Sequence, residues 1–127
     1  MSGPVTMQLE QLRERFGAAD VRQVTSDVML VTVPNVRLPE GWSKPSATIR
    51  FIIPSGYPYA LLDCFWTDAD LALQGGCQPQ NTGMNPIPGV TEPLLWFSWH
   101  LTAPWNPNRD TLTTWMNVVI NRMKEVR

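Results

Sequence analysis

The sequence predicts an α+β fold, with an N-terminal helix, an antiparallel β-meander, a long loop of active-site type and a C-terminal helix. Three observations carry this. Leu112, Trp115, Met116, Val119, Ile120 and Met123 recur at the intervals of one helix face. Thr48 to Ile53 alternates instead, with Ile49, Phe51 and Ile53 on one side and Arg50 on the other, the pattern of a half-buried strand. The 12 prolines of the 127-residue chain cluster after residue 34, so much of the middle must be turns and ordered loops.

Taken in order, Thr6 to Phe16 reads as a short helix, with Leu9, Leu12 and Phe16 on one stripe and Gly17 as its stop. It has no cationic face for a membrane surface, so packing on the domain is its role. From Val21 the pattern turns to strands. Val28 to Val33 is rich in β-branched residues and is expected to end at Pro34, which has no N–H for a central ladder. Leu38-Pro39-Glu40-Gly41-Trp42 is a turn, and Thr48 to Ile53 closes at Pro54. Ser55-Gly56-Tyr57-Pro58 is a tight connection, and Asp63 to Thr67 is a short aromatic strand. Three strands with short links suggest a meander.

Residues 68–93 are too rich in glycine and proline for regular structure, and a loop of that length suits a flap over a site. The final helix follows Thr111. Asp110 is its expected N-cap, with Asn106 before Pro107 as a competing start, and Lys124 and Arg127 suit its C-terminal end. The whole is one domain, 1–127, divided into the helix (1–20), the meander (21–67), the flap loop (68–95) and a Trp-rich segment with the last helix (96–127).

Apolar content of 43% and charged content of 17% fit a globular chain with a core of its own. A net charge of -1 leaves no footprint for nucleic acid or an anionic membrane. The apolar runs are too short to cross a bilayer, and a cytoplasmic protein is expected. Cys64 and Cys77 make no metal-ligand spacing with the single histidine. Asp68 and Asp70 lack the glycine and glutamate of a calcium loop. No metal or cofactor is expected.

The chemical centre is expected around Leu94-Leu95-Trp96-Phe97-Ser98-Trp99-His100 and Trp105-Asn106-Pro107. Large rings dominate local packing there, and an imidazole is the side chain whose charge changes near neutral pH. His100 is a candidate general base or an anchor for a peptide end; the bland alternative is a structural histidine bonded to a loop carbonyl. Ser98 shares a face with it if the piece is extended, and serine beside histidine can be a nucleophile, though no orienting acid is evident. Cys77, in Gly75-Gly76-Cys77 on the loop, is a rival nucleophile with no cation beside it in sequence. An incidental loop cysteine is the reading favoured for it. Cys64, alternating in an aromatic strand, reads as a small buried hydrophobe.

Leu38-Pro39-Glu40-Gly41-Trp42, Pro54-Ser55-Gly56-Tyr57-Pro58, Asp63-Cys64-Phe65-Trp66, Phe97-Ser98-Trp99-His100 and Trp105-Asn106-Pro107-Asn108-Arg109-Asp110 occur in an order that resembles the ubiquitin-conjugating-enzyme (UBC) fold. The closer resemblance is to its bacterial branch, prokaryotic ubiquitin-conjugating-enzyme family E. It covers most of the chain after about residue 30. The resemblance implies a role in a bacterial ubiquitin-like modification system, with a ubiquitin-like protein, an activating enzyme and a JAB-type metallopeptidase as partners. It also implies that His100 stands near the nucleophile.

Two departures matter. Ala60-Leu61-Leu62-Asp63 replaces the paired prolines that usually follow Tyr-Pro, and the expected cysteine position, near Phe97 or Ser98, holds none. Asn81, Asn85 and Pro86 only faintly echo the His-Pro-Asn loop of that fold, where an amide could steady an oxyanion. The leading expectation is therefore a conjugating-type protein that binds and transfers a ubiquitin-like partner. The second is a non-catalytic binding module of the same fold, and the third is a structural domain of a defence or mobile-element protein set.

Overall fold

A computed structural model describes residues 4–127. α1 (Pro4–Phe16) is followed by β1 (Asp20–Gln23), β2 (Met29–Arg37), β3 (Ser46–Ile53), β4 (Phe65–Asp68), β5 (Thr82–Gly83), β6 (Leu94–Phe97) and α2 (Leu112–Lys124). The strands form one antiparallel sheet in the order β1-β2-β3-β4-β6-β5. The architecture is α+β, with helices from both ends of the chain packed on one face of the sheet.

Strand periodicity decides which side chains meet which layer. In β3, Ala47, Ile49, Phe51 and Ile53 are buried and their neighbours only partly so, as period two requires. They join Leu12 of α1 and Trp115, Met116 and Val119 of α2 in the main core. β4 and β6 pair Phe65 with Phe97 and Trp66 with Trp96. The two phenylalanines stack in the main core with ring centroids 4.6 Å apart. Trp66, one residue on, belongs to a second and smaller cluster with Leu30 and Ile87, against which Trp96 packs. The proline-rich segment before β6 thus has a packing role, because it covers the sheet face that the helices leave open.

Four sequence expectations need correction. β2 does not stop at Pro34. It runs on to Arg37 through a bulge between Val33 and Val36, with Asn35 at φ +56, so the missing proline N–H falls outside the ladder. The third strand of the meander starts at Phe65, two residues after Asp63, because Cys64 takes a left-handed backbone at φ +61 and cannot lie in the pleat. The loop at 68–93 is not wholly irregular: it contains β5, and β6 begins at its end. The cap of α2 is Thr111 rather than Asp110. Thr111 and Thr114 exchange a reciprocal capping box, while the Asp110 carboxylate accepts the Asn106 N–H at 2.8 Å and closes the turn after Trp105.

Long-range hydrogen bonds tie the turns to the helices. Gln8 Oε1 accepts both the Tyr57 hydroxyl, at 2.5 Å, and the Leu112 N–H, at 2.9 Å, joining α1, the Tyr-Pro turn and the start of α2. Burial holds the Tyr57 hydroxyl well above its ordinary pKa, so it stays a donor at neutral pH. Trp42 Nε1 donates to Met123 O at 2.8 Å, and Trp105 Nε1 to Pro58 O at 2.7 Å. The Trp-x-Pro ring therefore sits on the Tyr-Pro turn, 6.0 Å from the Tyr57 ring.

Candidate functional site

Beyond Phe97 the chain leaves β6 as Ser98-Trp99-His100, and opposite it the chain approaches β4 through Asp63 and Cys64. The Cys64 N–H donates to Trp99 O at 2.9 Å, which fastens the two segments together. The Ser98 N–H donates to Asn81 O at 2.8 Å and ties the residues before β5 to the same place. Underneath lies Arg122 of α2, fully buried, with its guanidinium 5.2 Å from the ring centroids of both Phe97 and Trp99. It also donates to the carbonyls of Gln80 at 2.9 Å, and of Glu125 and Arg127 at 2.8 Å each. A cation held against aromatic faces and three carbonyls gives Trp99 a rigid support.

On this support His100 Nδ1 lies 2.5 Å from Asp63 Oδ1. A carboxylate can only accept, so Nδ1 carries the proton toward Asp63, and Nε2 has no hydrogen-bond partner among the described residues. Both side chains are about half exposed or more, so the pair adds little to stability. What it fixes is the tautomer and the ring orientation. Beside the pair is Cys64: its sulfur, a His100 ring nitrogen and an Asp63 oxygen all lie within 4.8 Å of one another. Burial raises the Cys64 pKa above the ordinary thiol value, and the Asp63 charge pushes the same way. The Trp99 backbone amide and the Trp96 ring N–H act in the opposite direction.

A sulfur, a nitrogen and an oxygen so close could also suggest a metal. The geometry argues otherwise for the nearest two atoms. Two ligands on one tetrahedral ion stand about 3.3 Å apart, given bonds of about 2.0–2.1 Å. Asp63 and His100 are at hydrogen-bond distance instead.

The sequence-predicted residues separate. His100 and Ser98 line one shallow groove of about 360 Å³ together with Asn81, Trp99, Leu101 and Thr102. Cys77 does not line it. It is exposed, in a turn closed by the Leu73 N–H on Cys77 O. Cys64 is half-buried rather than packed in a strand, and it belongs to the His100 cluster. Asn85 gives its carbonyl to Trp66 Nε1 at 2.7 Å. Asp110, the first carboxylate after His100 in sequence, is engaged by the Asn106 N–H, and the acid that orients His100 is Asp63. The signal for it was the register of β4 on β6, since Phe65 opposite Phe97 brings the residues just before the one beside the residues just after the other.

Residues 12–126 match the family described as Prokaryotic E2 family E. No curated protein and no solved structure matches the chain significantly. The match spans every strand of the sheet and both segments that meet at His100, and the helix–meander–helix order is that of a UBC-like fold. The chain belongs to prokaryotic E2 family E.

Proposed function

We propose that the protein is a conjugating component of a bacterial ubiquitin-like modification system, acting in the cytoplasm. It receives the C-terminal tail of a ubiquitin-like protein from an activating enzyme and transfers it, with a JAB-type metallopeptidase serving the same system. The observation that carries this reading is the Asp63–His100 pair at the mouth of an open groove, with a thiol beside it. An oriented imidazole with a free Nε2 can take a proton from an attacking thiol or amine. The groove gives an extended tail a place to lie, with the rigid Trp99 surface under it. One observation favours a second reading, a tail-binding module without transfer: no cysteine precedes Trp105 in the segment from Leu94 onward.

His100→Gln separates these roles from a structural one. His100 is exposed and bonds only at the surface, so the thermal midpoint should move by less than about 0.5 kcal/mol equivalent. Conjugation in cells that carry the partner proteins should fall by about 100-fold or more, as loss of a general base does. If the protein is only a module, tail binding is lost while wild type forms no conjugates. A variant that unfolds early yet keeps conjugating would remove His100 from the function.

A further inference from the structure

The reading above leaves open which atom takes the acyl group, since the expected position near Phe97 and Ser98 holds no cysteine. We propose that Cys64 is that nucleophile, with His100 as its base and Asp63 as the positioning acid. The thiol then comes from the residue just before β4, on the strand paired with the one where the chain order would put it. This rests on the conjugating reading and deepens it.

Three features point the same way. Cys64, His100 and Asp63 form a compact thiol–imidazole–carboxylate set, a sulfur, a ring nitrogen and a carboxylate oxygen within 4.8 Å of one another, with the carboxylate on Nδ1. Hydrogen bonds between such a base and its nucleophile are commonly long before substrate binds and tighten afterwards. The backbone of Cys64 is left-handed, a state seldom taken by residues other than glycine, and it turns the side chain out of the β4 pleat beside the site. The Trp96 ring N–H is buried and has no hydrogen-bond acceptor among the described residues. Both it and the Trp99 amide lower the Cys64 pKa against the effect of burial. A buried donor without an acceptor is costly, and a thiolate or a developing oxyanion on the sulfur's acyl group would satisfy it. Cys77 has no such surroundings. Burial keeps the Cys64 thiol protonated at rest, so the step requires a base to remove its proton.

The step balances with an activated tail, a C-terminal thioester on the activating enzyme, as co-reactant. His100 Nε2 takes the Cys64 proton, and the sulfur attacks the tail's carbonyl carbon. The new C–S bond forms as the old one breaks, and the departing sulfur leaves with its electron pair and receives the proton from His100. An acceptor amine then attacks the Cys64 thioester. The C–N bond forms, the C–S bond breaks, and the amine's proton passes by way of His100 to the Cys64 sulfur.

The test uses the full chain and a short peptide whose C-terminal glycine is a thiophenyl thioester. Mass mapping should find the acyl group on Cys64, removable by hydroxylamine, with Cys77→Ala acylated at the wild-type rate. Cys64→Ala and Cys64→Ser should both lose the thioester; the near-isosteric serine guards against misfolding, which circular dichroism would reveal. His100→Gln should slow acylation by about 100-fold. Asp63→Asn should slow it too, and Asp63→Glu should restore part of the rate, which a merely structural carboxylate would not do. Acylation of Cys77, or of both cysteines at equal rates, overturns the assignment. Binding of the same peptide as its free acid is measured in parallel. Binding with no acylation of wild type at Cys64 sinks the nucleophile and keeps the tail site, whereas neither binding nor acylation sinks the underlying reading as well.

Discussion

Trp115→Ala is expected to lower stability by about 3–5 kcal/mol, the usual cost of deleting a fully buried indole. Trp115 is 0% exposed and sits where α2 meets the sheet, in contact with the cluster that also holds Leu12 and Phe51. Its ring N–H is buried and has no acceptor among the described residues. That detail makes a second variant informative. Trp115→Phe leaves a smaller void and removes an unsatisfied donor that itself costs about 1–3 kcal/mol. It should therefore lose less than about 2 kcal/mol, within the ordinary range for a core change. Trp105→Ala should fall between the two, because that ring is half-buried and satisfied by Pro58 O. Denaturant midpoints followed by circular dichroism give the order. An alanine variant at 115 as stable as the phenylalanine one would mean that the core closes over the void.

The second large effect is expected at a glycine. Gly89 has φ +81, and a Cβ placed there would lie 2.2 Å from Val24 O. The contact is with backbone, in the turn between β1 and β2, so no side-chain rotation relieves it. Gly89→Ala must carry the left-handed backbone, at about 1–3 kcal/mol, and also displace one of two chain segments. A loss of about 3 kcal/mol or more follows, with Ile87 lifted from Leu30 and Trp66 and a change in tryptophan emission. Gly75→Ala is the control. Nothing lies within 4 Å of its Cβ, and its effect should stay within about 0.5 kcal/mol. Equal midpoints for the two variants would show that the 87–90 segment does not press on the β1–β2 turn.

The elements that the sequence made legible are those whose periodicity is undisturbed. β3 alternates without a break, and α2 keeps its stripe for its whole length, so period alone located both. Pro34 misled because a proline ends a regular ladder but is tolerated at a bulge, and the bulge depends on Asn35 accepting positive φ. β6 was hidden for another reason. Four residues are too few to show a period, and its partner β4 is 26 or more residues away in sequence. The site shared that difficulty. His100 stood out by its chemistry, but Asp63 is separated from it by 37 positions, and only the pairing of β4 with β6 makes them neighbours. Cys64 read as core because an alternating pattern was extended two residues too far, through a left-handed turn.

The hydrogen bond from Cys64 N–H to Trp99 O bears on when this site exists at all. No local segment can assemble it during folding; the thiol, the imidazole and the carboxylate converge only after two distant strands have closed on each other, a step of high contact order. The imidazole is thereby kept from the thiol in nascent and partly opened chains. In native-state deuterium exchange, the Cys64 amide should open together with the amides of β6 and at lower free energy than those of β3, the strand deepest in the sheet. A thiol exposed by such an opening parts from the imidazole in the same event, so the arrangement that we propose for acylation exists only while β4 and β6 are paired.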